Sequence, residues 1–123
     1  MLADIAAAGV RAMDQLGAHA SDIRAAMGPS IGQCCFEVDA ELGERFSREI
    51  DGARKHIWIG RPGKAFIDLR AVVRDQLERA GLSPANIASV GPCTRCASDR
   101  FFSRRAAGGK TTGLQMSFVG FAA

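Results

Sequence analysis

Histidine is scarce in this 123-residue chain: His19 and His56 are all it has. Lone histidines without partners at ligand spacing make poor metal sites. Each reads as a surface residue, His19 after a helix stop and His56 before a strand. Charge of one sign is also in short supply. Sixteen lysines and arginines against 13 acids leave a net charge of +3, with the two signs interleaved. That balance argues against nucleic acid as a partner. No apolar run approaches the eighteen or so residues of a membrane helix. The alanine-rich start carries Asp4 early and no basic leader, unlike a signal peptide. Repeats, low-complexity tracts and linkers are missing as well, so residues 1–123 are expected to form a single domain.

What is present is the profile of a globular protein, 47% hydrophobic and 24% charged. Four cysteines without an export signal read as thiols, which implies a cytoplasmic location. Apolar spacing predicts a helix over 2–16 through Leu2, Ile5, Ala6, Met13 and Leu16, starting without a visible N-cap. Ile23 to Met27 predicts a buried strand. Asp39 is expected to cap a second helix carrying Val38, Leu42, Phe46 and Ile50. Strands follow at 57–59 and 65–67 around the turn Gly60-Arg61-Pro62-Gly63. The clearest helix begins at the cap Asp68, runs through Leu69, Val72, Val73, Gln76 and Leu77, and stops at Gly81. A strand at 87–90 and a closing strand through Leu114, Met116 and Phe118 complete the pattern. The class is therefore α+β (α/β-like), a mixed β-sheet packed with helices.

Polar chemistry converges in the last third of the chain. Cys93-Thr94-Arg95-Cys96 is followed by Asp99-Arg100-Phe101-Phe102-Ser103-Arg104-Arg105 and Gly108-Gly109-Lys110-Thr111-Thr112-Gly113. Arg105 offers a bidentate fork to phosphate, Thr111 and Thr112 offer hydroxyls, and Gly108-Gly109 can turn amides toward an anion. Arg104 is expected to face water. Asp99-Arg100 suggests an ion pair or turn, and Phe101-Phe102 core aromatics. Cys93 and Cys96 have the spacing of a zinc knuckle or a redox pair, but Pro92 supplies no helix N-terminus to stabilise a thiolate. A four-thiolate site would also need Cys34 and Cys35, and adjacent residues rarely aim both sulfurs at one ion. Partly buried thiols beside a loop are the favoured reading, and no metal ligand is assigned. Gly28 and Gly32 mark a close backbone approach, to another strand in preference to a ligand.

Three motifs resemble one enzyme family. Gly28-Pro29-Ser30-Ile31-Gly32-Gln33-Cys34-Cys35-Phe36-Glu37-Val38 is similar to the segment Gly-Pro-Cys-Ile-Gly-x-Cys-Cys-Tyr-Glu-Val of the laccase-domain polyphenol oxidoreductase (YfiH-like) family. Asp68-Leu69-Arg70 with Gln76-Leu77, and the Cys-Thr-x-Cys to Thr-Thr-Gly stretch, follow in the same order. The resemblance implies a YfiH-like fold and a metal-dependent purine nucleoside phosphorylase. It implies phosphorolysis of adenosine, inosine, guanosine and methylthioadenosine, adenosine deamination and laccase-like phenol oxidation, with zinc or copper as cofactor and nucleoside and phosphate as partners. The family's metal is held by two histidines and a cysteine ahead of the first motif. The chain therefore resembles the C-terminal half of a member, without catalytic residues of its own and with an exposed apolar face open to self-association. Ser30 stands at a frequent cysteine, Arg104 at a tyrosine and Leu114 at an arginine. Competing readings are a non-catalytic nucleotide- or partner-binding module, and a small structural zinc protein on Cys34, Cys35, Cys93 and Cys96.

Overall fold

In the computed structural model, which describes residues 3–122, the elements run in the order α1 (Ile5–Gln15), β1 (Ala25–Met27), β2 (Glu37–Asp39), α2 (Ala40–Glu49), β3 (Ile57–Ile59), β4 (Lys64–Ile67), α3 (Leu69–Arg79) and β5 (Ile87–Ser89). Short 3-10 turns at Ala20–Asp22, Ala53–His56 and Pro84–Asn86 lead into β1, β3 and β5. The class is α+β, as expected, with the strands divided between two small sheets. β1 and β5 pair in parallel, with Ala26 opposite Ala88. β4 is the centre of an antiparallel sheet between β2 and β3.

Helix α3 joins two cores. Its Val72 packs in a cluster with Val38 and Ile67 of the antiparallel sheet and with Phe46 and Ile50 of α2 and its C-cap, and its Leu77 packs with Val10, Ile23, Leu82 and Ile87. Asp68 caps it by accepting from the Ala71 amide at 3.0 Å, and Gly81 ends it at a φ of 106° that β-carbon sterics disfavour. One helix thus sets the distance between the sheet pair β1–β5 and the sheet β2–β4–β3.

Several expectations are corrected. Helix α1 does have a cap: Asp4 accepts from the Ala7 amide at 3.2 Å. It buries Val10, while Ile5 and Leu16 are 72% and 89% exposed; Met1 and Leu2 lie outside the described residues. Asp39 occupies the N-cap position of α2 without a side-chain cap, because its carboxylate pairs at 2.6 Å with Lys64, its cross-strand neighbour. Val38 belongs to β2 and not to the helix. The closing strand does not form. Leu114, Met116 and Phe118 have the right alternation but are 93%, 84% and 90% exposed, and no ladder pairing is described there. Val119 in the same segment and Ile59 on β3 are exposed as well. Among the described residues no helix is long and apolar enough to cross a membrane.

Candidate functional site

Two loops meet beyond the C-terminal ends of the parallel strands. The loop after β1 turns tightly at Gly32, where the Cys35 and Phe36 amides both donate to the Gly32 carbonyl at 3.0 Å. The loop after β5 is registered to it by a parallel bridge between Ser30 and Cys93 and by the Thr94 amide, which donates to the Ser30 carbonyl at 3.1 Å. This brings Cys34, Cys35, Cys93 and Cys96 together, with all four sulfurs within 4.8 Å of one another. The Cys96 sulfur lies 3.7 Å from that of Cys34 and 3.5 Å from that of Cys35. The expectation that adjacent Cys34 and Cys35 would aim apart is overturned. The Gly32 turn winds the chain so that both sulfurs face the same point.

The electrostatics of the four thiols are unequal. Desolvation and hydrogen bonds from Cys35, Cys96 and Cys93 push Cys34 up to about 12. Desolvation also raises Cys93, but the backbone amides of Gly32, Cys96 and Arg95 outweigh it and bring that thiol down to about 6. Amides aimed at sulfur favour the thiolate. Gly32 is required here by space: an added β-carbon would stand 3.1 Å from the Cys93 Cβ and 3.3 Å from the Cys34 sulfur. Gly28 is likewise in close packing, 3.0 Å from the Ser117 hydroxyl by the same measure.

Arg70, on the first turn of α3, is the residue whose role the sequence did not disclose. Its guanidinium donates to the Ser30 hydroxyl and carbonyl, both at 2.8 Å, to the Gly91 carbonyl at 2.9 Å and to the Pro92 carbonyl at 2.8 Å. It therefore fastens both cysteine-bearing loops to the helix. The available signal was its place in the Asp68-Leu69-Arg70 motif.

The cationic loop is built differently from its expectation. Arg105 stacks on the Phe36 ring at 5.0 Å and donates to the Glu37 carbonyl at 2.6 Å. Arg104 is exposed, as expected, and lines a groove of about 570 Å³ with Lys110, Thr111 and Thr112; Arg105 does not line it. Gly108 and Gly109 take left-handed φ values of 64° and 81°. Their amides donate to the Arg105 and Arg104 carbonyls and so do not turn to an anion. Asp99 and Arg100 lie at a turn, and Arg100 stacks over the Phe101 ring at 5.6 Å without a described ion pair to Asp99. Neither Phe101 nor Phe102 is buried.

The profile of the family described as multi-copper polyphenol oxidoreductase laccase matches residues 1–122. The chain belongs to this laccase-domain family. It is 45% identical over 106 residues to adenosine deaminase RL5 from an unknown prokaryotic organism, covering 85% of this chain and 40% of that one. It is 36% identical over 101 residues to purine nucleoside phosphorylase YlmD of Geobacillus stearothermophilus, covering 81% and 36%. The crystal structure of Bacillus licheniformis YfiH superposes with a TM-score of 0.81 at 32% identity, covering 89% of this chain and 42% of that one. The chain spans less than half the length of these relatives.

A laccase-domain description implies copper, and a redox copper centre wants imidazole ligands. Those present do not supply them. His56 is half-buried and its Nε2 lies 2.9 Å from Asp75 Oδ2, which Lys55 also contacts at 2.8 Å; this corrects its expected surface position. His19 is exposed at the start of a 3-10 turn. Among the described residues the candidate metal-binding group is the four cysteines. The imidazole-based catalytic metal of the laccase-domain family does not fit these residues.

Proposed function

We propose that this laccase-domain chain contributes the phosphate-binding part of a cytoplasmic purine nucleoside phosphorylase that also deaminates adenosine. The groove lined by Arg104, Lys110, Thr111 and Thr112 carries the reading, and relatives named purine nucleoside phosphorylase or adenosine deaminase support the substrate class. The two cations of its lining oppose the charge of inorganic phosphate, and the threonine hydroxyls orient its oxygens. Holding the nucleophile in place is most of what phosphorolysis asks of this region. Arg105 positions the loop through Phe36 and Glu37 and leaves Arg104 the direct role. Zinc or copper, held by residues outside this chain, would supply Lewis-acid activation. We place packing of the remaining enzyme, or of a second copy, on the apolar groove lined by Val90, Met116, Phe118 and Val119.

The test is phosphate-dependent release of base from adenosine and inosine. The chain alone should be silent. Mixed with the N-terminal part of the Geobacillus stearothermophilus relative, it should become active, and Arg104→Ala should cut that activity. Activity from the chain alone, or a complemented activity indifferent to Arg104→Ala, would remove the assignment.

A further inference from the structure

The four cysteines offer a donor set that phosphorolysis does not use. Their sulfurs come from two loops some sixty residues apart in sequence, yet three of the pairs stand 3.6, 3.7 and 3.5 Å from each other. A disulfide needs about 2.05 Å, so none is formed. A tetrahedral zinc with Zn–S bonds of about 2.3 Å needs sulfur–sulfur separations of about 3.8 Å. The cluster is close to that size before any ion is considered.

We propose that Cys34, Cys35, Cys93 and Cys96 form a closed tetrathiolate zinc site that locks the loop after β1 to the loop after β5. Among the described residues the donor set is four thiols alone, which selects zinc over a laccase-type copper centre. Four protein ligands also leave no position for water or substrate, so the ion is structural. The framework is assembled without it: the Ser30–Cys93 bridge and the four hydrogen bonds of Arg70 fix both loops. Loops already held in place have less freedom to lose when an ion binds, which favours affinity. The proposal is independent of the phosphate groove, because it concerns the turn before that loop and survives any outcome of the activity assay.

The experiment is metal analysis of the whole chain, reconstituted with excess zinc under reducing conditions and then freed of loose metal by gel filtration. The expected result is about one zinc per chain, with cobalt substitution giving the intense visible bands of tetrahedral thiolate coordination. Cys96→Ser should lower zinc retention against a chelator by at least tenfold. The cobalt spectrum is recorded on the unaltered chain, so a variant that fails to fold does not blunt the test. A reconstituted chain that retains no zinc would overturn the proposal. So would retained zinc whose cobalt form lacks thiolate bands, or a folded Cys96→Ser chain that holds zinc equally well.

Discussion

Arg70 and Ser30 are joined twice, Nε to the hydroxyl and Nη2 to the carbonyl, each at 2.8 Å. A helix residue and a loop residue forty positions apart thus share one planar fork. The other donors of that fork hold Gly91 and Pro92. The Ser30 hydroxyl and carbonyl are thus the points at which the loop after β1 is anchored to α3.

Removing the fork should be costly. Arg70→Ala removes all four bonds; the Ser30 carbonyl keeps the Thr94 amide and water can reach the Gly91 and Pro92 carbonyls, so the expected loss is about 1–2 kcal/mol of unfolding free energy. Arg70→Lys should recover less than half of it, because an ammonium cannot reproduce the planar geometry. Urea unfolding of the three proteins checks this. Equal midpoints for the lysine variant and the parent would show that charge alone suffices.

Crowding at Gly32 is a separate prediction. The β-carbon of Gly32→Ala would press on the Cys93 Cβ at 3.1 Å and the Cys34 sulfur at 3.3 Å. Backbone on both sides is held by hydrogen bonds, so the strain has little room to relax. The expected cost is about 1–3 kcal/mol. Thermal unfolding reads it, and an unchanged Tm would mean that the loops separate freely.

How much of this was legible varies with the kind of signal. α3 was readable because Asp68, the apolar spacing from Leu69 to Leu77 and Gly81 all act locally. The hairpin of β3 and β4 was readable for the same reason, from Ile57-Trp58-Ile59 and the turn at Gly60 to Gly63. The failed strand at Leu114 shows the limit: period-two alternation describes a chain that could pair, and pairing also needs an edge beside it. The cysteine cluster stood only as a competing reading, because sequence adjacency of Cys34 and Cys35 says nothing about the turn at Gly32 that brings both sulfurs near Cys96. The commitment of Arg105 was not legible because neighbouring side chains leave a loop in different directions, and its partners Phe36 and Glu37 lie far away in sequence.

Acid should weaken the fold partly through Asp75. Desolvation raises its pKa, but hydrogen bonds from Lys55 and His56 outweigh this and leave it below the ordinary aspartate value. A carboxyl depressed on folding stabilises above its unfolded pKa, about 3.9, and loses that contribution as pH falls through the lower folded value. The urea midpoint should therefore drop between about pH 5 and pH 2 by more in the parent than in Asp75→Asn. At pH 7 the asparagine variant should be less stable by about 1–2 kcal/mol. Parallel pH profiles would show that the Lys55–Asp75–His56 contact contributes nothing.

The last prediction separates two neighbouring arginines. Arg104 lines the groove with Thr111 and Thr112, whereas Arg105 is committed to the Phe36 ring and the Glu37 carbonyl. Arg104→Ala should weaken inorganic phosphate binding by roughly tenfold, the loss of one charge-assisted hydrogen bond, and leave stability nearly unchanged. Arg105→Ala should do the reverse: its stacking and hydrogen bond hold the loop to β2, so the unfolding midpoint falls while phosphate still binds wherever the loop stays folded. Phosphorus NMR titration and urea unfolding, run on both variants, give a two-by-two outcome. If Arg105→Ala abolishes phosphate binding at full stability while Arg104→Ala is silent, the cradle belongs to Arg105 and the groove is not the phosphate site.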